Sequence, residues 1–469
     1  MEKVFRGSCT AMLVGKDATI DGSTMIARDN DAHGSIEPQR FIVIKPEDQK
    51  KNYKSVITGL ELELPDNPMK YTLTPRSILT EGIWGASGIN SDNVAMSATE
   101  TITTNSRILG VDPYNMAGIG EEDLEVIVLP YIHSAREGVE RLGSLLEKYG
   151  TYEPNGISFA DKDEIWWLET IAGHNWAAIK IPDDAYVVAP NRMNIDDFDF
   201  DSEDTLCSTG LRELIDEYHL NPDKDGTNLR HIFGSSTIRD SEYNNPRAWY
   251  IQKCFNPEIE QDPRDQDLPF ICHSNKKLSI EDIKFALGTH YENTPYDAYG
   301  LMGTDEEKKM FRPVGINRNH SLHILQIRNN VPESIAGIHW LAFGVNTFNT
   351  IVPFYANVND TPPVYRDTPT VFNPNSIYWL SRAMGLLGDN NYDLYQDSRN
   401  TFELEAVAKF RNIQIETDKG IGSQDNIADY LTAANDKIAT EAMNRTITLF
   451  GNMIELGSPE MKLHFDLKG

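Results

Sequence analysis

The sequence predicts an α+β protein in which two antiparallel β meanders are covered by helices and followed by a helical C-terminal part. Three observations carry that prediction. Short β-rich runs succeed one another at 157–189 and again at 322–355, with connections too short for parallel crossovers. Helical spacing falls between and after these runs instead of alternating with each strand, which favours α+β over α/β. From about residue 375 the pattern is mainly helical. No internal repeat, low-complexity tract or long linker interrupts the 469 residues, so a single compact unit is expected.

Taken in order, the first element is the run Cys9-Thr10-Ala11-Met12-Leu13-Val14, a buried strand that opens on a thiol. Residues 23–31 form the next strand, and the polar turn 16–22 folds the two into a hairpin. Ser134-Ala135-Arg136-Glu137 is a capping box, with Val139, Leu142, Leu145, Leu146 and Tyr149 at helical spacing behind it. The first meander comprises 157–159, 164–169, 176–181 and 186–189, separated by Asp/Gly/Pro turn chemistry. Ser279-Ile280-Glu281-Asp282 starts another helix. The second meander comprises 322–328, 338–343 and 351–355, and helices are expected at 376–387, 402–416 and 425–456.

Composition narrows the function. The formal charge of −28 and the lack of a basic block argue against nucleic acid or an anionic membrane as partner. Four scattered cysteines (Cys9, Cys207, Cys254 and Cys272) without a C-x-x-C indicate neither a disulfide framework nor a zinc site, and fit a reducing compartment. The leader Met1 to Ser8 is too short for a signal peptide, so a cytoplasmic protein is expected.

Cys9 is the residue with the most chemistry. If Met1 to Ser8 are cut away, it carries a thiol and a free α-amine, which titrate near 8.5 and 7.7–8.0, so one residue supplies both nucleophile and base. The bland alternative is a buried cysteine acting as a small hydrophobe. Against it stands the hairpin, which brings Arg28 and Asp31 back beside Cys9; the cation favours a thiolate and the carboxylate would hold the terminal ammonium. Other constellations are weaker. His320 and His323 lie on opposite faces of one strand and read as surface or core-edge histidines. Asp197, Asp199 and Asp201 lack the glycine and distal Glu of a calcium loop. Cys272-His273 are adjacent in a strand and point apart. No metal or organic cofactor is expected.

With these residues in view, the chain resembles the bacterial dipeptidase A (PepD-type) family of N-terminal-nucleophile cysteine hydrolases. The likeness is carried by 9–16, 21–28, Gly82-Ile83-Trp84-Gly85, 95–101, 186–192, Asn244-Asn245-Pro246-Arg247-Ala248-Trp249-Tyr250 and Val352-Pro353-Phe354-Tyr355, which span nearly the whole chain. More distantly it is similar to the penicillin V acylase and bile salt hydrolase group, which shares the Cys and the Arg-x-x-Asp pattern. The resemblance implies a four-layer αββα fold and hydrolysis of dipeptides, with an amidase or acylase as the alternative. It makes Cys9 the nucleophile, tuned by Arg28 and Asp31, and Asn191 an oxyanion donor. Arg247 matches an active-site arginine of the distant relatives, and the backbone N–H of Thr99 or Glu100 is expected as second donor. Eight residues precede Cys9, so 1–8 would be a leader cut at Ser8–Cys9 and 9–469 the working domain. Glu100 or Asp31 is expected to face a substrate ammonium and Arg192 or Arg247 its carboxylate. A homo-oligomer is expected.

Overall fold

The computed structural model describes residues 8–31 and 36–462. Its strands are β1 (Thr10–Val14), β2 (Thr24–Asp31), β3 (Ile42–Ile44), β4 (Asn52–Lys54), β5 (Glu61–Glu63), β6 (Tyr71–Leu73), β7 (Ser87–Ile89), β8 (Ala95–Thr101), β9 (Asn155–Ala160), β10 (Ile165–Thr170), β11 (Trp176–Ile181), β12 (Tyr186–Ala189), β13 (Thr205–Cys207), β14 (Ile271–Cys272), β15 (Asn319–Ile327), β16 (Gly337–Phe343) and β17 (Val352–Tyr355). A seven-stranded sheet runs β14-β12-β1-β2-β15-β16-β17 and a six-stranded sheet runs β13-β11-β10-β9-β8-β7. Every pairing within them is antiparallel. Two short ribbons, β3 with β6 and β4 with β5, flank them.

Period-two alternation explains where the core sits. Ala11 and Leu13 of β1 pack with Ile26, Val187 and Leu325 against Trp167, Ala177 and Ile179 of the six-stranded sheet. Their neighbours Met12 and Val14 point the other way, into a cluster with Ile251 of the helix Asn245–Phe255 and Ile283 and Leu287 of the helix Ile280–Gly288. Phe159, Trp166 and Leu168 on the far face of the six-stranded sheet meet Val139, Leu142 and Leu146 of the helix Ala135–Tyr149. Strands buried on both faces read as continuous apolar runs, which is why 11–14 shows no polar alternation. Both helix starts are as expected: Ser134 Oγ accepts the Glu137 N–H at 3.2 Å, and Ser279 with Asp282 forms a reciprocal capping box.

The second meander is found as β15, β16 and β17. The first is not a single meander. Its fourth run, β12, leaves the six-stranded sheet and pairs with β1 instead. The turn at 182–185 is drawn to β1 by main-chain bonds: Gly15 N–H donates to the Ala185 carbonyl and Asp17 N–H to that of Asp183. A Cβ at residue 15 would lie 2.3 Å from the Asp183 carbonyl oxygen, so only glycine permits the approach.

His320 and His323 also differ from expectation. Both are buried, because β15 is interior to its sheet and covered on both faces. They do point apart: His320 Nδ1 is 2.9 Å from the Tyr378 hydroxyl, and His323 Nε2 is 2.7 Å from Ser97 Oγ in β8 of the other sheet. The C-terminal helices are Ile377–Asn390, Tyr392–Gly420 and Ile427–Gly457. The middle one begins ten residues before the expected 402, since its first turns are too polar to show an apolar stripe. These helices close over β16 and β17 through Phe354, Tyr378, Phe410 and Ile438.

Candidate active site

The hairpin register places the chemistry. Thr10 stands opposite Asp29 and Ala11 opposite Arg28, so Cys9 lies where β2 ends in Asn30 and Asp31. The Cys9 side chain is buried, and Arg28 Nη1 donates to its Sγ at 3.3 Å. The same guanidinium is fixed by main-chain carbonyls, Thr99 at 2.5 Å, Ala98 at 2.8 Å and Ala86 at 3.2 Å. The Thr99 carbonyl is available because the β8–β9 register shifts between Ala98 and Glu100, leaving Thr99 outside the ladder. Burial pushes the Cys9 thiol up; Arg28 opposes this, while Glu100 and Asp31 reinforce it. The thiol is therefore protonated in this state, and its S–H faces Asn30 Oδ1 at 3.8 Å and the Asp31 carbonyl at 4.0 Å.

Asp31 is tied to a residue that no sequence pattern pointed out. Arg312 Nη2 bonds both the Asp31 carboxylate and the Ser8 carbonyl, and Nη1 donates to the carbonyls of Pro313 at 2.7 Å and Val314 at 3.0 Å. Asn319 Nδ2 reaches the other Asp31 oxygen at 3.2 Å, and Ser8 Oγ donates to the Asp31 main chain at 3.0 Å. Burial pushes the Asp31 carboxyl up, against the pull of Arg312 and Asn319. Burial alone would lower Arg312, but Asp31 holds its guanidinium above the ordinary range. Of residues 1–8, expected from the sequence to be a leader, only Ser8 belongs to the described residues. It is joined to Cys9 by a peptide bond, so the Cys9 nitrogen is an amide here.

Asn191 and Arg247 form the opposite wall. Arg247 Nη1 donates to the Cys9 carbonyl and, at 2.8 Å, to Thr10 Oγ1, while Nη2 meets Asn191 Oδ1 and Asn244 Oδ1, both at 2.8 Å. A guanidinium can only donate, which fixes the Asn191 oxygen toward Arg247 and its NH₂ away from it. That NH₂ is engaged, by Glu100 Oε1 at 2.6 Å and the Thr101 carbonyl at 2.8 Å. Burial, with Arg312 nearby, lowers Arg247 to about 10. Glu100 is pushed well above the usual carboxyl range by its burial, and its Oε2 accepts no hydrogen bond from the described residues.

Cys9, Arg28, Asp31, Asn191, Arg247 and Glu100 thus form one connected constellation. Arg192 does not join it: its Nη1 serves Asn245 Oδ1 at 2.6 Å and the Gln266 carbonyl at 3.1 Å. Arg312 and Asn319 were missed because they lie some 300 residues from Cys9 and inside no recognisable motif. Among the described residues no group of three or more His, Cys, Asp or Glu could hold a metal ion, and no helix is long and apolar enough to cross a membrane.

Comparison with known proteins adds to this geometry. Probable dipeptidase B of Lactococcus lactis is 62% identical over 465 residues, covering 98% of both chains. Dipeptidase A of Lactobacillus helveticus is 56% identical over 468 residues, again 98% of both. A dipeptidase of Bifidobacterium longum is 45% identical over 443 residues, 88% of this chain and 83% of that one. The model of peptidase family C69 matches residues 8–405, from the residue before the buried thiol into the long helix Tyr392–Gly420. On that match and those identities, the chain belongs to peptidase family C69.

Proposed function

We propose that the protein is a cysteine-type dipeptidase whose nucleophile is Cys9, freed at the chain terminus by cleavage of the Ser8–Cys9 bond. The observation that carries the reading is the Arg28 guanidinium 3.3 Å from the Cys9 sulfur, aimed there by three carbonyls and backed by the Asp31–Arg312 pair. The names of the relatives support dipeptides as substrates. Two sheets with apolar clusters between and outside them support an N-terminal-nucleophile αββα fold for residues 9–469. A cytoplasmic location and a homo-oligomer remain part of the same reading.

The chemistry follows from the groups. While Ser8 is attached, burial keeps the thiol protonated and the amide nitrogen is no base. Cleavage creates an α-amine whose ordinary pKa is about 7.7–8.0, able to take the thiol proton as Arg28 stabilises the thiolate. The sulfur adds to the scissile carbonyl, and Asn191 turns an N–H from Glu100 or Thr101 toward the oxyanion, joined by the backbone N–H of residue 99 or 100. Collapse breaks the C–N bond, the α-ammonium returns its proton to the leaving amine, and water activated by the same amine hydrolyses the thioester. No step uses a metal, so dialysis against a chelator leaves the rate unchanged. Glu100, whose Oε2 accepts no hydrogen bond from the described residues, is better placed than Asp31 to meet the substrate ammonium, which would draw its carboxyl, raised by burial, back to the ionised form.

Three measurements on purified protein test this. Intact mass shows loss of residues 1–8; Cys9→Ala retains them and is inactive; and acetylating the amine of a dipeptide costs about a hundredfold in kcat/KM, the effect of stranding one buried charged group. Full-rate cleavage by Cys9→Ala would reject the nucleophile. Equal rates on free and acetylated substrates would favour an acylase.

A further inference from the structure

A dipeptidase must sense a carboxylate one residue beyond the bond it cuts, so a cation has to lie within one residue's reach of the nucleophile, about 3.8 Å from Cα to Cα. Four arginines with buried side chains, Arg28, Arg192, Arg247 and Arg312, are the candidates, and their bonds discriminate among them. The terminal nitrogens of Arg28 are spent on Cys9 Sγ and three carbonyls. Those of Arg247 are spent on Cys9, Thr10, Asn191 and Asn244, all of which stay in place. Arg192 is turned toward Asn245 and Gln266. Arg312 differs, because one of its acceptors is the carbonyl of Ser8, the residue bonded to Cys9 and the one the proposed maturation removes.

Arg312 also lines an open cavity of about 670 Å³ formed by residues of 238–243 and 308–313. On a protein of net charge −28 this cavity has the opposite sign: Arg239, Lys308, Lys309 and Arg312 line it against a single carboxylate, Glu242. Glu242 is itself paired with Arg264 at 3.5 Å. The Tyr243 ring forms part of the wall, with the guanidinium carbons of Arg239 and Arg312 at 4.9 and 5.5 Å from its centroid. The Arg312 side chain is 7% exposed. Nη1 is taken by the carbonyls of Pro313 and Val314, and Nη2 is shared between Asp31 and the Ser8 carbonyl, so removal of Ser8 leaves one Nη2 N–H without an acceptor, which a substrate carboxylate satisfies with a charge-assisted bond.

We propose that Arg312 and the cationic cavity it lines bind the C-terminal carboxylate of the dipeptide, which limits the enzyme to substrates of two residues. The assignment rests on the dipeptidase reading above. In the chain with Ser8 attached, the leader's own carbonyl occupies this cation.

The test is a pair of substrates, one dipeptide as free acid and as C-terminal amide, with kcat and KM measured for wild type and Arg312→Gln. Wild type is expected to prefer the acid by about a hundredfold or more in kcat/KM, and Arg312→Gln to bring the two within about fivefold. Equal rates in wild type, or an undiminished preference in Arg312→Gln, would overturn the assignment while leaving the dipeptidase reading intact. Hydrolysis of neither substrate by wild type would overturn both. Should intact mass show that Arg312→Gln keeps residues 1–8, the double variant Arg239→Gln/Lys309→Gln, which removes two other cations of the cavity and leaves the Arg312–Ser8 bond in place, decides. A tenfold or greater loss of acid preference supports the site, and no loss rejects it.

Discussion

At the scale of the residue, Cys9 is held between burial, which keeps its proton on, and Arg28, the cation nearest its sulfur that takes the proton's part. On the proposed maturation, loss of Ser8 would expose the thiol and weaken the first influence, while the second is fixed by the carbonyls of Ala86, Ala98 and Thr99 and would stay. Arg28→Gln in the mature protein should therefore raise the thiol pKa by about one unit or more and slow alkylation by iodoacetamide at pH 7 about tenfold. The pH profile of the alkylation rate reads this directly. A profile unmoved by the substitution would mean that the α-amine alone sets the thiolate population. Arg247 has a different part: bonded to the Cys9 carbonyl and the Asn191 oxygen, it orients two groups of the site.

At the scale of the element, the hairpin was legible in the sequence because it is local. An apolar run, a polar turn and a second run determine that Arg28 returns beside Cys9, and β1 with β2 does this. Asn191 was legible only through family likeness, since its place depends on β12 crossing to β1, a choice made by Gly15 and the turn at 182–185. Arg312 was not legible at all. Its position is set by long-range packing of an irregular segment, and periodicity carries no such information. The interior of β15 and β16 holds a further consequence. His339 is buried with Ser87 Oγ at 3.1 Å from Nε2 and Thr72 Oγ1 at 3.4 Å from Nδ1, and burial lowers it to about 3. The folded state thus keeps it neutral while the unfolded chain protonates it near 6.5, so its contribution is whole above pH 6.5 and is lost as the pH falls toward 3. Glu122 and Glu153, raised to about 7 by burial, act in the opposite sense between 4.5 and 7, so the wild-type curve alone cannot isolate the histidine. The difference between wild type and His339→Gln can. The stability lead of wild type, from urea unfolding, should shrink by about 2 kcal/mol between pH 6.5 and pH 5, at about 1.4 kcal/mol per unit. A constant lead would show that the pKa of His339 is not lowered on folding.

At the scale of the whole molecule, 71 acidic against 43 basic residues give a surface field that an approaching substrate meets before any single contact. A dipeptide with neutral side chains is a zwitterion of zero net charge and is indifferent to that field at long range. One ending in Asp or Glu carries an extra negative charge and is repelled once it comes within about a Debye length of the surface, a reach of about 30 Å at 0.01 M salt but only about 8 Å at 0.15 M. The cations of the 238–243 and 308–313 cavity act over a shorter distance and are outnumbered at long range. Raising the ionic strength from 0.01 to 0.15 M should therefore increase kcat/KM for an acidic dipeptide about threefold and leave kcat unchanged, with the neutral dipeptide unaffected. Steady-state kinetics on the two substrates at matched pH decide it. A fall for the acidic substrate would mean that the local cations, and not the net charge, govern its approach.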